Sequence, residues 1–143
     1  MKKTGKKKNG DEKMVKIAWV SRHPPLPAQI KELERIFGEF ELIQITKVFR
    51  DAKEVIEDVK KAGCTHAVVV VPLSMVAHLV KDKSITWIRA DMYALHECEK
   101  GKCKEFDEKR DVWLPLHGSK LGRHMRFNKF QRIVDVVMVL EDL

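Results

Sequence analysis

Residues 65–74, THAVVVVPLS, constrain the fold more than any other part of the chain. The four consecutive valines at 68–71 do not alternate with polar residues, which is typical of a strand covered on both faces. A buried helix segment is the weaker alternative, because β-branched side chains lose rotamer freedom in a helix. Pro72 has no N–H for a sheet ladder, so we expect the strand to end there. The sequence thus predicts a central strand with a loop at its carboxyl end.

Helical and strand patterns alternate around this run. Pro27 suits the first turn of a helix and Gly38 its end, while Asp51 and Glu54 form a capping pair for a second helix. Ser74 is the expected cap of a third, short helix. Further strands are predicted at 15–20, 40–45 and 85–90. This alternation indicates an α/β fold, with a small Rossmann-like or flavodoxin-like parallel sheet of four strands and helices on both faces.

The pattern changes after residue 90. Two extended segments, 92–97 and 104–114, flank a predicted hairpin tip at 99–102. Residues 115–128 are expected to be irregular. The segment 130–140 fits a helix with one polar exception, but its IVDVVMV core favours a strand. We therefore expect an antiparallel C-terminal extension over 91–143, within a single α/β domain spanning 15–143.

Composition narrows the class of protein. The 44% hydrophobic content excludes wholesale disorder, and no apolar run approaches the ~20 residues of a membrane helix. The N-terminus lacks the apolar segment of a signal peptide, so a cytoplasmic protein without a membrane partner is expected. Charged residues make up 34% of the chain, while Asn and Gln are scarce. That balance is typical of a thermophilic source.

The net charge of +7 is concentrated at the N-terminus, where residues 1–16 contain seven lysines against Asp11 and Glu12. Residues 1–14 have no apolar periodicity, so they are predicted to form a disordered basic arm. Such an arm binds nucleic acid in one interpretation, since lysines that neutralise phosphates release counterions. It is a solubilising tail in the other.

Polar residues follow the predicted parallel strands at their carboxyl ends, where ligands bind in open α/β sheets. They predict a ligand- and phosphate-binding rim. Its members are Ser21, Arg22, His23, Lys47, Arg50, Ser74, Arg89 and Asp91. The competing interpretation is that loops are polar because they face water. The chain has neither a Gly-x-Gly-x-x-Gly after its first strand nor a phosphate-binding P-loop, so no cofactor is expected.

Ser21 and His23 are the candidates for catalysis, with His23 as general base and Ser21 as nucleophile or hydrogen-bond donor. No third residue that would orient the imidazole is evident nearby. The alternative is a surface histidine fixed by the prolines that follow it.

Histidines and cysteines cluster around the predicted hairpin tip. His96, Cys98 and Cys103 have the spacing His-x-Cys-x4-Cys, and His117 or His124 is the fourth candidate zinc ligand. Because only one cysteine pair is present, a cross-strand disulfide or two facing thiols compete with a metal site. Cys64 is expected to be buried and inert.

A third candidate is the basic segment, residues 117–132, which contains no acidic side chain. Interleaved cations and aromatic rings suit a nucleic-acid surface, where phosphates pair and bases stack. The candidate residues are Lys120, Arg123, Arg126, Phe127, Lys129, Phe130 and Arg132. A solvated loop that pairs with acidic residues of the domain is the alternative.

Three functions follow as hypotheses. The first is a non-catalytic protein that binds nucleic acid or a nucleotide ligand. The second is an enzyme that processes a phosphoester at the strand ends. The third is a structural module that forms a homodimer through its C-terminal strands, because an exposed apolar edge needs a partner or a cover.

Overall fold

The computed structural model describes residues 2–4 and 14–143, which form an α/β fold around one mixed sheet. The strands lie in the order β1-β3-β2-β4-β5-β7-β6. In chain order the elements are β1 (Lys2–Thr4), β2 (Val15–Val20), α1 (Pro27–Phe37), β3 (Phe40–Ile45), α2 (Ala52–Lys61), β4 (His66–Val69), α3 (Leu73–Leu79), β5 (Thr86–Glu99), β6 (Asp111–Pro115) and β7 (Leu121–Arg132).

The predicted central strand is present as β4, which pairs in parallel with β2 on one side and β5 on the other. Ala67 and Val68 are almost fully buried, as the valine run indicated. The strand ends at Val69, earlier than Pro72, and Val70 is 66% exposed. The reason is the length of the neighbouring strand: Val69 lies opposite Val20, the last residue of β2.

Helices cover both faces of the parallel strands β3, β2, β4 and β5. On one face, Leu33 of α1 packs with Ile17, Trp19, Leu42 and Val68. On the other face, α2 and α3 pack against alternate residues of the same strands, through a buried set that includes Val55, Val59, Val76, Leu79, Ala18, Ala67 and Trp87. The side chains of β2 and β4 therefore alternate between two apolar layers, and this explains the unbroken apolar runs.

The predicted helix ends are confirmed for α1 and α2. Gly38 has a φ of 71° after α1, and the Asp51 side chain accepts a hydrogen bond from the Glu54 backbone N–H at 2.9 Å. The predicted N-cap of the third helix is wrong, because α3 starts at Leu73 and its N-cap residue is Pro72 rather than Ser74.

The C-terminal half is antiparallel, as expected, but its pairing differs from the prediction. β5 runs on for 14 residues, and it pairs with β7 rather than with β6. Residues 92–97 and 104–114 therefore do not form a hairpin. The irregular stretch predicted over 115–128 is confirmed only for 116–120, since β7 begins at Leu121. β7 lies between β5 and β6, and the only tight hairpin among the described residues joins β6 to β7.

The predicted strand over 130–140 is also wrong, because regular structure ends at Arg132. Ile133 and Val136 still pack against the α2–α3 side of the sheet. Beyond them, Val137 to Leu140 are 74–91% exposed. The Ile133 N–H still donates to the Trp87 carbonyl of β5 at 2.8 Å, but the strand pairing of β7 ends at Arg132. High strand propensity alone therefore does not extend the strand over 134–140.

The predicted disordered arm falls largely on residues outside the described ranges. Residues 2–4 are described, and they pair antiparallel with β3 as strand β1. The prediction is therefore wrong for this short segment. Within the described ranges, no helix has both the length and the apolar character needed to span a bilayer.

Candidate functional site

A cleft of about 400 Å³ opens at the carboxyl ends of β2, β3 and β4. We call it the edge cleft. Its walls are mainly apolar, with polar groups on one side. The lining residues are Val20, Ser21, Arg22, His23, Ile45, Lys47, Val48, Phe49, Val70, Val71, Pro72 and Met75. Its volume falls within the range of small-molecule sites.

The connections between strands explain why a cleft forms at this point. β2 has β3 on one side and β4 on the other, so the chain changes direction across the sheet at β2. The helix that leaves β2 packs on one face, and the helix that precedes β4 packs on the opposite face. The diverging connections leave a crevice beyond the strand ends, which is where ligands bind in open α/β sheets.

The cations of the edge cleft differ in how far they are neutralised. Lys47 Nζ lies 2.8 Å from Asp58 and 3.1 Å from Glu54, and the hydrogen bonds to Asp58 and Glu54 raise its pKa. Arg22 and His23 are exposed, and within 14–143 neither forms an ion pair. Arg22 is therefore the cation of the cleft that is available to an anionic ligand.

Ser21 and His23 are held by local hydrogen bonds that run through the His23 backbone. The His23 backbone N–H donates to Ser21 Oγ at 3.2 Å, and the His23 carbonyl accepts from Trp19 Nε1 at 2.7 Å. The described contacts of Ser21 Oγ are to this backbone group and not to the imidazole. These bonds fix the course of the loop, while the His23 ring stays exposed.

The remaining rim residues do not line the edge cleft. Arg50 pairs with Glu54 at 3.3 Å, and Ser74 is exposed on α3. Arg89 pairs with Asp91 at 3.6 Å and lines a separate cavity beside β5. The structure thus divides the predicted rim, and it brings together Ser21, Arg22, His23 and Lys47.

The basic segment contains structural residues as well as exposed cations. Phe127 is only 8% exposed, and Phe130 packs edge-on against Trp19. The Phe127 ring is therefore largely covered, whereas Phe130 is only partly buried, and the predicted nucleic-acid surface stays a prediction. Arg126 is bound to Asp111. The side chains that remain exposed are Lys120, Arg123, Lys129 and Arg132.

The histidines and cysteines meet on β5, β7 and the loop between β5 and β6. Ligand atoms of His96, Cys98, Cys103 and His124 all lie within 4.8 Å of one another, and we call these residues the His–Cys cluster. Cys98 and Cys103 form a disulfide. His124 is the fourth member because it lies opposite His96 in the β5–β7 ladder, whereas His117 is exposed on the β6–β7 turn.

A buried ion network lies beneath the cluster. Asp111, at 3% exposure, accepts from Arg126 at 2.8 Å and from His124 Nε2 at 2.7 Å. Burial alone would raise the pKa of Asp111, but hydrogen bonds from Arg126, the Asp107 backbone and His124 hold it well below its usual range. The same pairing with Asp111 raises the pKa of Arg126. Asp111 is therefore ionised and orients both partners.

Sequence reasoning missed Asp111 and the apolar lining of the edge cleft. We call the part of this lining formed by Val48, Phe49, Val70, Val71 and Met75 the apolar floor. Asp111 lies 13 residues from His124 and 15 from Arg126, so only strand register brings them together. The floor has a weak sequence signal, because Val70 and Val71 continue the valine run beyond the point where β2 can pair with it.

No protein-family model, curated protein or solved structure matches the chain. The assignment of function therefore depends on this geometry.

Proposed function

We propose that the protein binds a nucleotide, or a closely similar phosphate-bearing ligand, in the edge cleft without catalysing a reaction. The observation that carries this proposal is an apolar crevice with one unpaired guanidinium at its lip, located where the strand order reverses. The order of the parallel strands supports a Rossmann-like or flavodoxin-like interpretation of this half of the sheet, and such sheets bind ligands at this edge.

The apolar floor would contact the uncharged ring of the ligand. Val48 and Val70 are 69% and 66% exposed, yet both line the cleft beside Phe49 and Met75. Covering these side chains with a flat ring removes apolar surface from water, at roughly 25 cal/mol per Å². A nucleobase supplies such a ring, whereas free phosphate leaves the floor uncovered.

The polar side of the cleft accounts for the charged part of the ligand. Arg22 offers a planar fork of donors that suits two phosphate oxygens, and the exposed His23 ring adds a further N–H donor. Lys47 is held by two carboxylates, so it contributes less. The absence of a Ser21–His23 side-chain bond among the described contacts favours binding over phosphoester chemistry.

Binding of mononucleotides to the full-length protein tests the proposal, with calorimetry as the measurement. Arg22→Gln should weaken binding about 10-fold or more, because a hydrogen bond to a charged group contributes ~1.5–3 kcal/mol. Arg123→Gln is the matched control, since it removes an exposed arginine of β7 that does not line the cleft. Val70→Thr keeps the shape of the floor and should weaken binding of the nucleotide but not of inorganic phosphate.

Binding of a single-stranded oligonucleotide tests the alternative that the basic segment is the ligand site. If it binds while mononucleotides do not, and Arg123→Gln weakens that binding more than Arg22→Gln does, the exposed cations of the basic segment are the nucleic-acid site. That result would refute the edge cleft as the ligand site. Turnover of a phosphoester that is lost in His23→Ala would refute the non-catalytic part of the proposal.

A further inference from the structure

The His–Cys cluster has the composition and the arrangement of a zinc site. We propose that, once the Cys98–Cys103 disulfide is reduced, His96, Cys98, Cys103 and His124 bind one Zn²⁺ ion as four tetrahedral ligands. The oxidised and the metal-bound states exclude each other, because the same two sulfurs form either the disulfide or the bonds to zinc. This site is separate from the edge cleft and does not depend on the proposed nucleotide.

The two imidazoles already have the separation that zinc requires. His96 Nε2 and His124 Nδ1 are 3.3 Å apart. Two nitrogens bound to a tetrahedral Zn²⁺ at ~2.0–2.1 Å lie about 3.3 Å from each other. At 3.3 Å the two nitrogens also lie within hydrogen-bond distance of each other. The pair can therefore take up an ion between its nitrogens with little change in their separation.

The tautomer of His124 is fixed in the form that a metal ligand needs. Both oxygens of the Asp111 carboxylate accept hydrogen bonds, from Arg126 and from the Asp107 backbone N–H, so His124 Nε2 donates its proton to Asp111 Oδ2. In the neutral ring, the lone pair is then on Nδ1, which faces His96. Zinc-bound histidines commonly donate their other N–H to a carboxylate in this way. Arg126 holds that carboxylate from its other side.

The sulfurs need a small rearrangement, and the chain allows it at one of the two positions. Cys98 is fixed in the β5 ladder opposite Gly122, whereas Cys103 belongs to the loop between Glu99 and Asp111. Two sulfurs at ~2.3 Å from a tetrahedral zinc are about 3.8 Å apart. A movement of the Cys103 loop that separates the two sulfurs to this distance leaves the strand pairing intact.

A dithiol is the reductant that converts the disulfide state into the state that binds zinc. The dithiol breaks the S–S bond, gives two protein thiols and is itself oxidised to a disulfide. Zn²⁺ then binds both sulfurs as thiolates, and the two thiol protons pass to water. Four protein ligands complete the coordination, as in structural zinc sites rather than catalytic ones.

The ligand set and the access route favour zinc among the common metals. Two thiolates with two imidazoles in a tetrahedral arrangement suit Zn²⁺, whereas Mg²⁺ and Ca²⁺ prefer oxygen ligands. His96 is exposed, and a cavity of about 520 Å³ lined by His96 and Cys98 opens beside the cluster. An ion can therefore reach the site without unfolding of the sheet.

Titration of the full-length protein with Co²⁺ tests the proposal, since tetrahedral Co²⁺ thiolates absorb visibly and in the near ultraviolet. The chain is reduced with a dithiol, freed of it without oxygen and titrated. We expect one Co²⁺ per chain with thiolate charge-transfer bands, and complete displacement by stoichiometric Zn²⁺. Air-oxidised protein should give none of these bands. Co²⁺ bands in the oxidised chain, or none in the reduced chain, would overturn the proposal.

Substitutions of single residues test which side chains bind the metal. His96→Gln alters an exposed side chain, so folding should survive, and metal affinity should fall by more than the roughly 10–100-fold that loss of an outer hydrogen-bond partner causes. Cys103→Ser should remove half of the charge-transfer intensity. His117→Gln is the matched control, because His117 is also exposed but lies outside the cluster. An equal loss of affinity in His117→Gln and His96→Gln would refute the assignment.

Discussion

His124 Nε2 donates a 2.7 Å hydrogen bond to Asp111 Oδ2, and the side chains of both residues are fully buried. The bond joins β7 to the first residue of β6. Arg126 completes the network with bonds from Nε and Nη2 to the same carboxylate. A buried carboxylate needs such partners because its charge is otherwise costly to remove from water.

Acid should destabilise the protein through Asp111. Its pKa is lowered in the folded chain, so its contribution to stability is complete above the unfolded-state pKa of ~3.9. That contribution is lost as the pH falls from there towards the lower folded-state pKa. The free energy of unfolding from urea denaturation should therefore drop below about pH 4. The drop should be smaller in Asp111→Asn and unchanged in Asp142→Asn, an exposed control.

Arg126 should prove structural, unlike its neighbour Arg123. Arg126→Gln leaves the buried Asp111 carboxylate without its guanidinium partner, so it should lower the free energy of unfolding much more than Arg123→Gln does. Arg123→Gln changes an exposed side chain, so its effect should stay within about 0.5 kcal/mol. Chemical denaturation measures both. Equal stability of the two variants would contradict the network described above.

Gly122 should not tolerate a larger side chain. A Cβ at this position would overlap the Trp113 ring and would lie 2.6 Å from the Leu114 carbonyl oxygen. Gly122→Ala should therefore lower stability by about 1–3 kcal/mol, the usual range for overpacking. The double variant with Trp113→Leu should recover part of that loss, as measured by thermal unfolding in a double-mutant cycle. Fully additive effects would show that the ring is not the obstacle.

The last residues should contribute little to stability, despite their apolar character. Ile133 packs against the α2–α3 side of the sheet, so Ile133→Ala should cost about 1–2 kcal/mol, less than a fully buried isoleucine. Val137 is 74% exposed, and Val137→Ala is the matched control with little expected effect. A chain ending at Val136 should unfold at nearly the same temperature as the full chain. A large decrease would indicate that 137–143 pack against another surface.

The N-terminal half of the fold was predictable because several local signals agree there. The valine run, the Asp51 cap and the glycine after α1 each specify one element, and none of them depends on distant partners. The ends of β4 were less predictable. Val70 and Val71 have the same propensity as Val69, but β2 ends opposite Val69. Strand length was therefore decided by the neighbour and not by the strand itself.

The C-terminal half resisted prediction because its pairing is non-local and irregular. Register shifts between Asp91 and Met92, and between Ala94 and His96, break the alternation of side chains that a sequence pattern relies on. Cations at every third position of β7 do not form one stripe because side chains in a strand alternate between its two faces. His96, Cys98 and Cys103 could be grouped by spacing, but the choice of His124 over His117 required the β5–β7 register.

The insertion of β7 between β5 and β6 has a consequence for synthesis of the chain. β6 leaves the ribosome before its only partner among the described strands, since residues 121–132 follow it in sequence. Until β7 is complete, the carboxylate of Asp111 has neither His124 nor Arg126 beside it, and β5 presents an open edge along residues 88–99. The nascent protein must therefore protect this edge until its final strand emerges, and a chain terminated near residue 120 would expose it to aggregation.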